Sequence, residues 1–140
     1  MLNVLVVDDS LAIRIKMKGF LKKLGHDIVR EAKEGKEAIQ LYKEYAPDLI
    51  TMDISMPGMN GVDALKEIME ISNREANVIM ITANGQDGIV KDALKLGAKG
   101  YILKPISKEK LQDSIGQIFP EYFCSDNVLL DDNDLDDIFV

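Results

Sequence analysis

Five short apolar runs, at residues 3–7, 28–32, 49–52, 78–81 and 100–103, alternate along the chain with five segments whose apolar residues recur at helical spacing. No other feature narrows the possible folds so far. Runs this short, β-branched and without polar alternation suit strands of a parallel sheet covered on both faces. Strands alternating with helices through short loops predict an α/β chain with a doubly wound five-stranded parallel sheet and five helices. The first helix follows Asp8-Asp9-Ser10 and carries Ile13, Met17, Phe20, Leu21 and Leu24 on one stripe, with the lysines at 16, 18, 22 and 23 mostly off it and Gly25 as its stop. The second spans residues 35–45, where Pro47 biases Ala46 away from helix. The third (62–71), fourth (87–96) and fifth (107–118) follow, the last with Ser107 as N-cap. Residues 28–32 hold enough polar side chains to suit a sheet edge.

The strands end on chemistry. Val7 runs into Asp8 and Asp9, Met52 into Asp53, Ile81 into Thr82, and Leu103 into Lys104-Pro105. In an open parallel sheet the carboxyl edge is where loops converge on a ligand. Each piece has an ordinary explanation: acids after a strand cap helices, Asp53 suits a turn, and Lys104-Pro105 suits a solvated loop. Their coincidence points elsewhere. Three carboxylates in one crevice raise each other's pKa unless a cation joins them, and with hard oxygens but no nearby His or Cys, Mg2+ fits better than Zn2+.

Charge and composition exclude other classes. The net charge of −7 lies entirely in residues 121–140, since residues 1–120 hold all 17 Lys and Arg and 17 of the 24 Asp and Glu. A neutral body with an acidic tail argues against nucleic acid as a partner. No apolar run is long enough to span a membrane, and Asp8-Asp9 follow too short an apolar block for a secretory signal, so no membrane insertion and a cytoplasmic location are expected. Cys124 permits no internal disulfide. The methionines at 52, 56, 69 and 80 are expected as core filler.

In its Asp8-Asp9 pair, the Asp53-x-x-Met56-Pro57-x-x-x-Gly61 loop, Thr82-Ala83, Gly97-Ala98 and Lys104-Pro105, the chain resembles the receiver domains of bacterial two-component response regulators, from residue 2 to about 118. It is most similar to stand-alone chemotaxis regulators of the CheY type, a fold of strand order 2-1-3-4-5. The resemblance implies a response regulatory domain over 1–120 in which Asp53 is the phosphoacceptor nucleophile. It implies Mg2+ bound by Asp9, Asp53 and the Ser55 backbone carbonyl, with Asp8 acting through water. Thr82 and Lys104 would offset phosphoryl charge, and Lys104-Pro105 would be a cis peptide. Thr82 and Tyr101 would act as switch residues that reshape the surface of the fourth helix, fifth strand and fifth helix; apart from the resemblance, Tyr101 reads first as a tyrosine packing at a strand edge. A sensor histidine kinase would be the phosphodonor, with a flagellar switch component as output partner and a phosphatase as a possible third. No enzyme activity on an external substrate is expected beyond self-phosphorylation and autodephosphorylation, which uncharged Ser55 and Asn84 would leave moderate. Ile106 stands where many receivers have Phe, which bears on packing beneath the fifth helix.

Residues 121–140 form an acidic tail, either disordered or a docking segment. Asp132, Asp134 and Asp136 alternate as in a calcium loop, but Asp137 replaces its required Gly. Two other functions stay open. A phosphorelay intermediate would pass the group to a second histidine carrier. A metal-dependent phosphatase of the haloacid dehalogenase type is less favoured, because it needs Asp-x-Asp after its first strand.

Overall fold

The structure, a computed structural model, describes residues 1–83 and 87–122. Expectations about Asn84, Cys124 and the tail beyond Tyr122 fall outside these residues. The elements run β1 (Asn3–Val7), α1 (Leu11–Lys23), β2 (Asp27–Ala32), α2 (Gly35–Tyr45), β3 (Leu49–Asp53), α3 (Gly61–Ile71), β4 (Val78–Thr82), α4 (Asp87–Leu96), β5 (Gly100–Leu103) and α5 (Lys108–Ile118), followed by a 3-10 turn at Pro120–Tyr122. All five strands are parallel, in the order β2-β1-β3-β4-β5. The doubly wound receiver fold expected from the sequence is the fold observed.

Strand pleat divides the core in two. Leu5, Val7, Ile50, Met52, Val78 and Met80 face α2, α3 and α4, whereas Val4, Val6, Leu49, Ile79, Ile81 and Ile102 face α1 and α5. Every residue of β3 and β4 is buried, and each large aliphatic side chain among them contributes about 1.5–3 kcal/mol. The methionines at 52, 56, 69 and 80 are all buried in the first of these clusters, and Ile106 packs against the second. Polar β2 lies at one edge and β5 at the other.

Helix ends follow local chemistry. The side chains of Ser10, Asn60 and Ser107 accept from the backbone N–H groups of Ile13, Asp63 and Lys110, capping α1, α3 and α5. Gly25, at φ +89°, follows α1 in the left-handed region that favours glycine. Two stripes differ from expectation. In α1 the buried residues are Arg14, Met17 and Leu21, while Ile13 and Phe20 are only partly covered. In α4, Val90 and Ala93 are buried but Ile89 and Leu94 remain exposed; Ile89 borders an open groove with Ile54, Asn60 and Val62 on the α3 side. No helix among the described residues is long and apolar enough to cross a membrane.

Candidate functional site

Parallel strands deliver all their exits to one edge. Asp53 is the last residue of β3 and is 2% exposed, Asp8 follows β1 at 3%, and Asp9 beside it is exposed. One carboxylate oxygen from each lies within 4.8 Å of the others. Lys104, just past β5, reaches across with Nζ 3.4 Å from Asp53 Oδ1 and 3.6 Å from Asp8 Oδ2. The sequence therefore named four residues that the fold brings into one pocket. Thr82 ends β4 and is buried, and its carbonyl accepts the Lys104 backbone N–H at 2.8 Å. Ser55 is exposed in the loop two residues beyond Asp53. Tyr101 stands on edge strand β5, about half exposed.

Asp8 and the loop after Asp53 are held by backbone hydrogen bonds. The Asp8 N–H donates to the Ala32 carbonyl at 3.0 Å, and Asp8 Oδ1 accepts from the Ser10 N–H at 2.9 Å. Beyond Asp53 the loop closes tightly: the Gly61 N–H donates to the Ile54 carbonyl at 2.8 Å, and the Ile54 N–H to the Ile81 carbonyl at 3.0 Å. A Cβ on Gly61 would stand 2.1 Å from the Asp53 carbonyl oxygen, so glycine lets α3 begin directly against the acidic residue. On the other side the Lys104-Pro105 peptide is cis, as the resemblance implied. The Lys110 ammonium donates to the Leu103 and Pro105 carbonyls, both at 3.0 Å, bracketing Lys104.

Electrostatically the pocket is short of positive charge. Burial pushes the Asp53 carboxyl up from its ordinary 3.8 to about 6; the neighbouring Asp8 charge adds to the rise and Lys104 opposes it. One ammonium against three carboxylates leaves the cluster suited to a further cation. An all-oxygen carboxylate set with open positions is the donor chemistry of a hard divalent ion. The acidic cluster can thus bind a metal.

A family model for the response regulator receiver domain matches residues 4–116. The chain belongs to that family. The receiver is 43% identical over 116 residues to the chemotaxis protein CheY of Thermotoga maritima, an overlap of 83% of this chain and 96% of that protein. With CheY of Bacillus subtilis it shares 44% over 115 residues, 82% of this chain and 95% of the other. Its fold matches a chain in the crystal structure of the CheX-CheY-BeF3-Mg2+ complex from Borrelia burgdorferi at a TM-score of 0.81 and 39% identity, covering 84% and 88% of the two chains. This is a receiver of the CheY type in two-component signalling, and receivers of that type are phosphoacceptor switches.

Sequence reasoning missed two residues at this pocket. Lys110 stands in α5, outside every motif named above. Arg14 passed unremarked, although its Nη1 donates to the Asp8 carbonyl at 2.6 Å. Its signal was spacing: Arg14, Met17 and Leu21 share one helical face, and a cation on an apolar face needs a partner.

Proposed function

We propose that Asp53 accepts a phosphoryl group from a phosphohistidine of a sensor kinase, in a Mg2+-dependent reaction. The observation that carries this reading is a buried Asp53 carboxylate at the strand edge, beside Asp8 and Asp9, with the Lys104 ammonium 3.4 Å from it and 3.6 Å from Asp8. An Asp53 carboxylate oxygen forms the new bond to phosphorus as the donor's nitrogen–phosphorus bond breaks and its imidazole leaves. Lys104 holds one face of the incoming group by charge, and Thr82, at the end of β4, donates its hydroxyl to a phosphoryl oxygen. Asp9, Asp53 and the Ser55 carbonyl, with Asp8 behind them, would hold Mg2+, which would supply the rest of the charge compensation that a carboxylate attacking an anion requires. The acidic pair would orient that ion, and Gly61 keeps the loop close.

The added charge, about −1.5 to −2, then acts on its surroundings. Thr82 and Tyr101 follow it inward, and the α4-β5-α5 surface changes shape. That surface carries exposed Leu94, Tyr101 and Leu103, with a groove of about 360 Å³ between β5 and α5. Its partners in this reading are an output protein such as a flagellar switch component and a phosphatase; the Borrelia CheY in complex with CheX supports a chemotaxis role. The receiver occupies residues 1–120 and the acidic segment 121–140 is an appendage to it.

Acetyl phosphate with Mg2+ tests the reading without a kinase. Intact mass should rise by one phosphoryl group, and peptide mapping should put it on Asp53. Uptake by Asp53→Asn at the wild-type rate would overturn it.

A further inference from the structure

α1 turns three buried residues toward the sheet, and one is charged. Arg14 shares the core-facing stripe with Met17 and Leu21. A methionine could fill that space with no charge to desolvate, and a buried ion pair is by itself weak evidence of stabilisation. What the guanidinium touches is therefore informative. Nη1 donates to the Asp8 backbone carbonyl at 2.6 Å, Nε donates to Glu31 Oε1 at 2.9 Å, and the Lys18 ammonium grips Glu31 Oε2 at 2.7 Å. Glu31 lies on β2 opposite Val6 of β1, so the far end of the bridge is anchored in the sheet.

The Asp8 carbonyl belongs to the planar peptide that joins Asp8 to Asp9. Holding that oxygen toward α1 fixes the plane from which both acidic residues depart. The Asp8 N–H, bound to Ala32, and Asp8 Oδ1, bound to Ser10, fix the preceding peptide and the first side chain. Asp9 is exposed, and the peptide behind it is what Arg14 restrains.

We propose that Arg14 is a positioning residue for the metal-binding acidic pair, and that Glu31 on β2 sets how rigidly it does so. This rests on the reading that Asp8, Asp9 and Asp53 take up Mg2+. Lys18 and Arg14 together hold the Glu31 carboxyl below its ordinary range, so the bridge carries its full charge at neutral pH. A purely structural role, pinning α1 to β2, would lie in the Arg14–Glu31 pair alone. A positioning role lies in the bond to Asp8.

Calorimetric titration of Mg2+ into the full unphosphorylated chain separates the two, run well below the unfolding transition on wild type, Arg14→Met, Arg14→Lys and Glu31→Gln. Positioning predicts that Arg14→Met weakens Mg2+ binding about 10- to 100-fold, the range for lost support behind metal ligands. Glu31→Gln keeps the guanidinium beside Asp8 and loosens only its far end, so a smaller loss is expected. If Arg14→Met does not fold, Arg14→Lys carries the test: a single ammonium cannot span both partners as the fork does, and a loss of about threefold or more is expected. Lowered melting temperatures with unchanged Mg2+ affinity in the variants would overturn the proposal. Wild type that binds no Mg2+ would overturn the metal reading itself, whereas equal binding by wild type and Arg14 variants would overturn only the positioning role.

Discussion

Asp53 is ionised at neutral pH against its own surroundings. Its carboxyl is pushed up to about 6 by burial, with the Asp8 charge adding to the effect. Between the ordinary 3.8 and about 6 the folded state therefore holds a proton that the unfolded chain has released. The contribution to stability is fully present below that window and is lost as pH rises through it. At 1.36 kcal/mol per pH unit, ionised Asp53 costs the metal-free fold about 1–3 kcal/mol above pH 6. Asp53→Asn should stabilise the Mg2+-free protein by that amount at pH 7.5, and the gain should vanish near pH 4. Denaturant titrations at the two pH values check both the size and the sign. Adding Mg2+ should shrink the difference at pH 7.5, because an ion that binds only the native wild-type site stabilises it by mass action. A destabilising Asp53→Asn at pH 7.5 would contradict the electrostatic picture of this pocket.

At the scale of elements, Gly61 has the least tolerance. The Cβ of alanine would sit 2.1 Å from the Asp53 carbonyl oxygen, a backbone atom that cannot swing aside, so α3 must retreat from β3. Gly61→Ala is expected to cost about 3 kcal/mol, at the upper end of ordinary overpacking, and to slow phosphorylation from acetyl phosphate. Chemical denaturation and the phosphorylation rate measure the two effects separately. The elements themselves were legible in the sequence: Asn3–Val7 and Gly35–Tyr45 coincide with β1 and α2, and the Ser107 cap is where it was expected. Buried strands and amphipathic helices write their state in local spacing, and the acids showed because they stood at strand ends. What stayed hidden depends on contacts far along the chain. Arg14 looked like one more surface cation until β2 supplied Glu31, 17 residues away. The Gly61 approach requires knowing how α3 sits on β3. Ile89 and Leu94 keep a helical stripe yet stay exposed, and no local pattern states how much of a stripe its neighbours will cover.

At the whole-molecule scale, His26 joins the start of the chain to the 3-10 turn at Pro120–Tyr122. Its Nδ1 accepts the Leu2 N–H at 3.1 Å, and its ring stands edge-on to Tyr122 at 4.9 Å, while the Tyr122 hydroxyl accepts from the Met1 amino group. Burial, helped by the N-terminal charge, lowers its pKa below 6.5. An acceptor nitrogen must be neutral, so this contribution to stability is present above pH 6.5 and is lost as pH falls through the folded value. Asp53 acts in the reverse direction over an overlapping range, so the His26 effect is best read in an Asp53→Asn background. There, the imidazole should titrate below 6.5 by NMR, and stability should fall on acidification in a way that His26→Gln removes. The claim on which the rest depends is that three mutually repelling carboxylates at one sheet edge accept an anion only together with Mg2+. Fluorine NMR of the protein with beryllofluoride measures this directly. A bound signal should appear for wild type with Mg2+ and be absent without Mg2+ or with Asp53→Asn; a bound signal of equal strength in all three samples would contradict the account.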